Sequence, residues 1–212
     1  MELEESLAGG VSALGLTASA GQISALAAFL RLLEKWNRVY NLTAVRELSD
    51  MVAKHVLDSL TVLPYLHGVS VLDVGTGAGL PGIPLAIMQP QRQFTLLDSA
   101  GKKIRFVRHV AAELRLENVL TEEQRAEDYT PPEPFDTVIC RAFAPLRDFV
   151  QCCGSLAAPG GRLLAMKGRF PEPELSVLPA DWSAADVEAV RIPGLDVQRH
   201  VIVMERITAH AS

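Results

Sequence analysis

Two periodicities divide the chain. Over residues 19 to 40, Ile23, Leu26, Leu30, Leu33 and Asn37 recur at helical spacing, with Phe29, Trp36 and Tyr40 beside the stripe. Ser19 followed by Gln22 reads as a capping box at the start of this helix. A second helix is predicted from Asp50 to about Leu63, capped by Ser49 and ended by Pro64. From residue 69 the pattern changes to short apolar runs between helical stretches. "VSVLDV" (69–74), "QFTLLD" (93–98), "NVLTEE" (118–123), "FDTVICR" (135–141), "RLLAMKG" (162–168), "ADVEAVRI" (185–192) and "HVIVMERI" (200–207) read as strands. A helix over Ser99 to Leu114 puts Ile104, Val107, Val110, Ala111 and Leu114 on one face. Residues 145 to 156 read as another helix, and Pro159-Gly160-Gly161 as a turn.

Strands that alternate with helices imply an α/β fold, a mostly parallel sheet covered on both faces. The last two strands have no helical pattern between them, so they are expected to form a hairpin that adds one antiparallel closing strand to a seven-stranded sheet. Residues 1–66 are expected to be an N-terminal helical extension, and residues 67–212 one compact domain. Ligands of such sheets bind beyond the carboxyl ends of the strands.

Composition narrows the class. With 212 residues, 49% hydrophobic and 21% charged, the chain can bury a sizeable core. "MELEESLAGG" opens acidic where a targeting segment would be basic. The most apolar run, residues 69 to 88, contains Asp73 and is broken by Gly and Pro, a poor membrane helix. A cytoplasmic protein with no membrane contact is expected. The three cysteines, Cys140, Cys152 and Cys153, form neither a disulfide framework nor a metal-ligand spacing, so no metal is expected. The net charge of −5 excludes a simple polycation. Yet "GKKIRFVRH" (101–109) gathers Lys102, Lys103, Arg105, Arg108 and His109, and a local patch suffices for a nucleic-acid partner.

The candidate chemistry sits in "VLDVGTGAGLPGIP" (71–84). No Walker string is present. Gly77, Gly79 and Gly82 satisfy the dinucleotide spacing, but Pro81 and Pro84 remove N–H donors that a pyrophosphate needs where the next helix opens. A nucleoside without phosphates fits better. Glycines let the backbone pass close under a flat ligand, and Asp73 suits a cationic one, as S-adenosylmethionine is. Asp98 ends the next strand, about 20 residues past the loop, where an acid meets ribose hydroxyls in such folds. Ala126 and Glu127 follow the third strand, in position to meet an adenine ring.

"KWNRVYNLTAV", "KHVLDSL", "DVGTGAGLPGIPLAI", "LLDSAGKKIRF", "ICRAFAPL", "AMKG" and "RHVIVMER" occur in order across nearly the whole chain. Together they resemble the bacterial small-subunit rRNA guanine-N7 methyltransferase family, of the RsmG or GidB type. The resemblance implies a single Rossmann-like class I S-adenosylmethionine-dependent methyltransferase domain with N-terminal helices. It implies methyl transfer to N7 of a guanine in 16S rRNA, of the guanine-527 type. The partner would be 16S rRNA or the small ribosomal subunit, and the chain a monomer. Cofactor contacts carry over onto Gly75, Leu80, Ala126, Glu127 and Arg141, to which the loop reading adds Asp73, Gly77 and Asp98. The tail departs from the family pattern: Met204-Glu205-Arg206 is nearly neutral where others are more basic.

Guanine N7 carries a lone pair and no proton. Its methylation needs no general base, and no catalytic base is expected. The motif used on exocyclic amines and the Pro-Cys nucleophile used on pyrimidine carbon are both missing. Charge moves onto the ring, so acids at the rim would help and no lysine is expected directly under the base. Arg141 is expected to hold the cofactor carboxylate or position the substrate, and Lys167 to position it too. Lys54, Lys102, Arg105, Lys167, Arg199 and His200 are the candidate RNA contacts. A small-molecule methyltransferase, a cofactor-binding module without catalysis and a dehydrogenase are the competing readings.

Overall fold

In the computed structural model, which describes residues 2–141 and 144–207, the strands are β1 (Ser70–Val74), β2 (Gln93–Leu97), β3 (Val119–Glu122), β4 (Phe135–Arg141), β5 (Ala157–Lys167), β6 (Trp182–Val190) and β7 (Arg199–Arg206). They form one seven-stranded sheet in the order β3-β2-β1-β4-β5-β7-β6. β7 alone runs against its neighbours, pairing antiparallel with both β5 and β6. The expected closing hairpin is therefore present, with β7 inserted inside the sheet and β6 at its edge.

The helices are α1 (Glu2–Ala13), α2 (Ala20–Tyr40), α3 (Leu48–Met51), α4 (Asp58–Leu60), α5 (Gly82–Met88), α6 (Gly101–Glu113), α7 (Leu146–Cys153) and α8 (Glu172–Leu175). Side chains along a strand alternate between faces, and two cores result. Val71, Phe94, Leu96, Ile139 and Leu164 pack with buried residues of α2, α5 and α6; Leu72, Val74, Leu97, Val138 and Leu163 pack with α7. Leu26, Phe29, Leu30 and Leu33 of α2 belong to the first core, so the N-terminal helices and the sheet share one apolar interior.

α2 opens on the predicted capping box: Gln22 N–H donates to Ser19 Oγ and Ser19 N–H to Gln22 Oε1. It ends on Asn41 in the left-handed region, φ 48°. The next helix differs from expectation. It starts at Leu48 with Glu47 before it, so Ser49 is inside the helix and caps nothing. α3 and α4 are joined by a six-residue π-helical segment, Val52–Leu57. α1 escaped the sequence reading because Gly9 and Gly10 weaken a helical pattern. Its first-turn acids Glu2, Glu4 and Glu5 favour the helix start. A methyl group at Gly10 would collide with Leu57, so this glycine lets α1 close onto the π segment. The predicted turn at Pro159-Gly160-Gly161 is instead part of β5, absorbed by a shift of register against β4, with Gly160 at φ +77°.

Candidate active site

The carboxyl ends of β1, β2 and β4 surround a crevice of about 290 Å³, lined by Gly75, Asp98, Ser99, Lys103, Ala126, Glu127 and Arg141 among others. Five of the eight predicted cofactor residues thus meet in one place: Gly75, Asp98, Ala126, Glu127 and Arg141. The glycine loop turns sharply beside it, with Gly75, Gly77 and Gly79 all at positive φ, a conformation that side chains disfavour. Gly75 N–H and Thr76 N–H both donate to Leu97 O, which stitches the loop to the end of β2. Asp98 Oδ2 accepts from Gly77 N–H at 2.9 Å and Oδ1 from Ala100 N–H at 2.8 Å. Lys103, which the sequence reading did not assign, puts Nζ 3.4 Å from Asp98 Oδ2. Asp98 therefore fixes the loop and the start of α6 as well as facing the crevice.

Asp73 and Leu80 stand elsewhere. Asp73 lies fully buried under the loop, where Oδ2 accepts from Thr76 Oγ1 at 2.7 Å and from Gly82 N–H at 2.8 Å, while Oδ1 has no partner. Burial pushes its carboxyl up to about 6, against the pull of those two hydrogen bonds. It is a staple of the loop and does not line the crevice. The Leu80 side chain is buried in the core, and its N–H donates to Thr76 O. The same geometry speaks against a pyrophosphate. α5 has seven residues; Gly82 N–H is taken by Asp73, Ile83 N–H by Gly79 O, and Pro84 has none. An anion would find no donors there.

Arg141 also borders a second, larger cavity of about 540 Å³ at the ends of β4 and β5, lined with Lys54, His55, Asp58, Lys167 and Arg199. The π segment supplies Lys54 and His55, and α4 begins with Asp58. π-Helical insertions often mark functional sites; here one turns the acid and two basic residues of "KHVLD" toward a shared space. Asp58, almost wholly buried, pairs with Arg141 and Arg199. Sequence reasoning missed it, though an acid among the buried Val56, Leu57 and Leu60 was a signal of a buried polar site. His55 Nδ1–H donates to Lys54 O and Nε2 accepts from Thr43 Oγ1. Burial, and then the Arg141 charge, hold its pKa at about 4. Thr43 is presented by Asn37, whose side chain bonds Thr43 N–H and Val45 O.

The remaining cations divide. Lys54 Nζ pairs with Asp50 at 2.7 Å, and Lys167 Nζ reaches Ala144 O and Glu174 Oε2. Lys102 and Arg105 are exposed on α6 and line neither cavity. His109 of the same face lies tilted against Trp36, ring centroids 5.1 Å apart. His200 is buried beneath Phe170, edge to face at 5.6 Å. Among the described residues no His, Cys, Asp or Glu side chains gather to hold a metal ion, and no helix is long and apolar enough to cross a membrane.

The donor set suits S-adenosylmethionine. A carboxylate has about four acceptor sites, so Asp98 keeps capacity for ribose hydroxyls beyond its two backbone donors. Glycines at the loop admit close approach, and Arg141 offers a guanidinium to a carboxylate.

Comparison with known proteins agrees with this geometry. The family profile described as GidB, rRNA small subunit methyltransferase G, matches residues 22–202. The ribosomal RNA small subunit methyltransferase G of Alkalilimnicola ehrlichii is 52% identical over 193 residues, 91% of this chain and 88% of that protein. That of Idiomarina loihiensis is 46% identical over 204 residues, 96% of this chain and 99% of its own. Among solved structures, magnesium protoporphyrin IX methyltransferase (ChlM) from Synechocystis PCC 6803 with bound SAM shares the fold, with a TM-score of 0.61 at 20% identity over 82% of this chain and 91% of that one.

Proposed function

The chain belongs to the rRNA small subunit methyltransferase G family and is an S-adenosylmethionine-dependent methyltransferase, and from that premise we propose that it methylates N7 of a guanine in 16S rRNA, the guanine-527 position. The observation that carries the reading is Arg141, shared by the donor crevice and the larger cavity. The acceptor base enters the larger cavity and meets the donor across that residue. Bound in the crevice, S-adenosylmethionine supplies an electrophilic methyl group whose transfer forms the N7–C bond and returns the C–S electron pair to sulfur.

The chain's own residues do the positioning. Gly75 and Gly77 pass under the cofactor, Asp98 accepts from its ribose, Ala126 and Glu127 meet its adenine, and Arg141 takes its carboxylate or orients the base. Correct alignment of two reacting groups supplies roughly 7–11 kcal/mol of a barrier. Among the described residues the one imidazole lining the larger cavity, His55, has both ring nitrogens engaged and stays neutral above about pH 4. A site without a poised base suits an acceptor with no proton to lose.

In this reading residues 1–66 are a helical extension that gives the acceptor cavity one wall through Lys54, His55 and Asp58, and residues 67–212 carry the cofactor. Lys54, Lys167 and Arg199 at the cavity, with Lys102 and Arg105 outside it, meet RNA; His200, buried beneath Phe170, does not. The protein acts as a monomer in the cytoplasm. Mass mapping of 16S rRNA from cells with and without the gene tests the proposal. A 7-methylguanosine that disappears with the gene, and returns when the protein and S-adenosylmethionine are added to the isolated small subunits, supports it. An unchanged nucleoside profile refutes it.

A further inference from the structure

Among the described residues Asp58 is the one acid lining the larger cavity. Its two oxygens are divided between two guanidinium groups: Oδ1 accepts from Arg199 Nε at 3.1 Å and Oδ2 from Arg141 Nη1 at 3.4 Å. The other cations there have acids of their own, Lys54 with Asp50 and Lys167 with Glu174. An ionised carboxylate has about four acceptor sites. One arginine on each oxygen leaves each oxygen a further site in a cavity that has room for a base. A buried ion pair of this kind is a weak device for stability alone.

A guanine methylated at N7 must present N7 bare to the methyl group. The commonest protein contact to guanine, an arginine spanning O6 and N7, is therefore barred. What remains for recognition is the O6 acceptor and the two neighbouring donors, N1–H and the N2 amino group. A carboxylate with a guanidinium beside it matches those three groups in order.

We propose that Asp58 reads the Watson–Crick edge of the acceptor guanine, accepting from N1–H and the N2 amino group while one of the two arginines it holds donates to O6. The inference rests on the guanine-N7 reading above. It makes Asp58 the residue that excludes adenine, whose N1 lone pair would face the carboxylate. The same negative charge stabilises the ring as alkylation makes it cationic, without moving a proton.

The test uses the full chain with S-adenosylmethionine and small ribosomal subunits lacking the modification, carrying guanine, inosine or adenine at the target. Inosine keeps N1–H, O6 and N7 and lacks only the N2 amino group. The wild-type protein is expected to favour guanine over inosine by about fivefold or more, the scale of a lost base contact. Asp58→Asn puts an amide where the carboxylate was, able to donate to the adenine N1 lone pair that the carboxylate repels. Its preference for guanine over adenine is expected to fall about tenfold or more, and its penalty on inosine to vanish. A merely structural role for Asp58 would lower transfer to all three bases alike, and unchanged base ratios in Asp58→Asn overturn the inference. Should Asp58→Asn not fold, equal wild-type rates on guanine and inosine overturn it alone. A wild-type protein that places no methyl on N7 overturns the guanine-N7 reading, and this inference with it.

Discussion

Asp73 and His55 are both buried, and their titrations act on stability in opposite senses. The His55 pKa falls from 6.5 to about 4, chiefly through burial and then the Arg141 charge. Between those values the unfolded chain binds a proton that the native one refuses, so this residue costs stability as pH falls from 6.5 toward 4. The Asp73 pKa rises from 3.8 to about 6 through burial. Between those values the native chain holds a proton that the unfolded one has lost, so this residue costs stability as pH rises from 3.8 through 6. The two trends oppose each other over the shared window. Asp73→Asn removes one of them while leaving an oxygen to accept from Thr76 and Gly82. The melting temperature of Asp73→Asn relative to wild type is expected to climb as pH is raised from 4 to 7, and a flat difference would contradict the buried acid. Asp98 gives the matching prediction for binding. Because it also holds Gly77 and Ala100, Asp98→Ala would loosen the loop along with the ribose contact. Asp98→Asn keeps an oxygen for one of those two N–H donors, and its affinity for S-adenosylmethionine by calorimetry should fall about tenfold, on the scale of a hydrogen bond to a charged acceptor. An unchanged affinity would remove the ribose role. These residues also show what was legible. An acid before a glycine loop is visible in sequence, and so is one at the next strand end. Which faces the ligand and which pins the loop is decided by the N–H groups that reach them in three dimensions.

The elements were legible in proportion to the strength of their periodicity. α2, with an apolar stripe and a two-way cap, and the seven strands, with their short apolar runs, are legible in the sequence alone. α1 and the entry of β5 are not, because glycine there serves close packing against Leu57 and a shift of register, and glycine in sequence reads as a break. The π segment carries no sequence signal of its own, yet it decides which side chains of residues 52–57 face the acceptor cavity. The capping box can be tested directly: Ser19→Ala should cost about 1 kcal/mol of stability by denaturant unfolding, and no change would mean that the cap is redundant with the packing of Ile23 and Leu26. Lys167, at the end of β5, ties Ala144 and Glu174 together, and Glu174 in turn accepts from Leu146 N–H at the start of α7. Lys167→Ala should therefore disturb the rim of the acceptor cavity and raise the KM for RNA, while affinity for S-adenosylmethionine stays in place. A loss confined to cofactor affinity would assign this lysine to the wrong cavity.

At the scale of the whole molecule the puzzle is a chain of net charge −5 that works on a polyanion. The arrangement of charge resolves it. Acids cluster at the N-terminal turn of α1 and along the edge strand β6, at Asp186 and Glu188, while Lys54, Lys167 and Arg199 meet at the carboxyl ends of the strands and Lys102 and Arg105 stand exposed on α6. Net charge governs solubility and long-range repulsion; the local field at the cavity mouth governs docking. RNA binding through such a field releases counterions, so it weakens as a power of salt concentration, by roughly 0.7 to 0.9 in the exponent for each phosphate neutralised. Turnover at limiting small subunits should fall steeply with added salt while the affinity for S-adenosylmethionine barely moves. Lys102→Ala and Arg105→Ala should each reduce the slope by about 1, weakening binding without altering the base preference. A slope indifferent to both substitutions would take α6 out of the docking surface. A turnover indifferent to salt altogether would point to a small acceptor that enters the cavity without touching phosphate, and the same crevice, loop and Arg141 would then serve a different substrate.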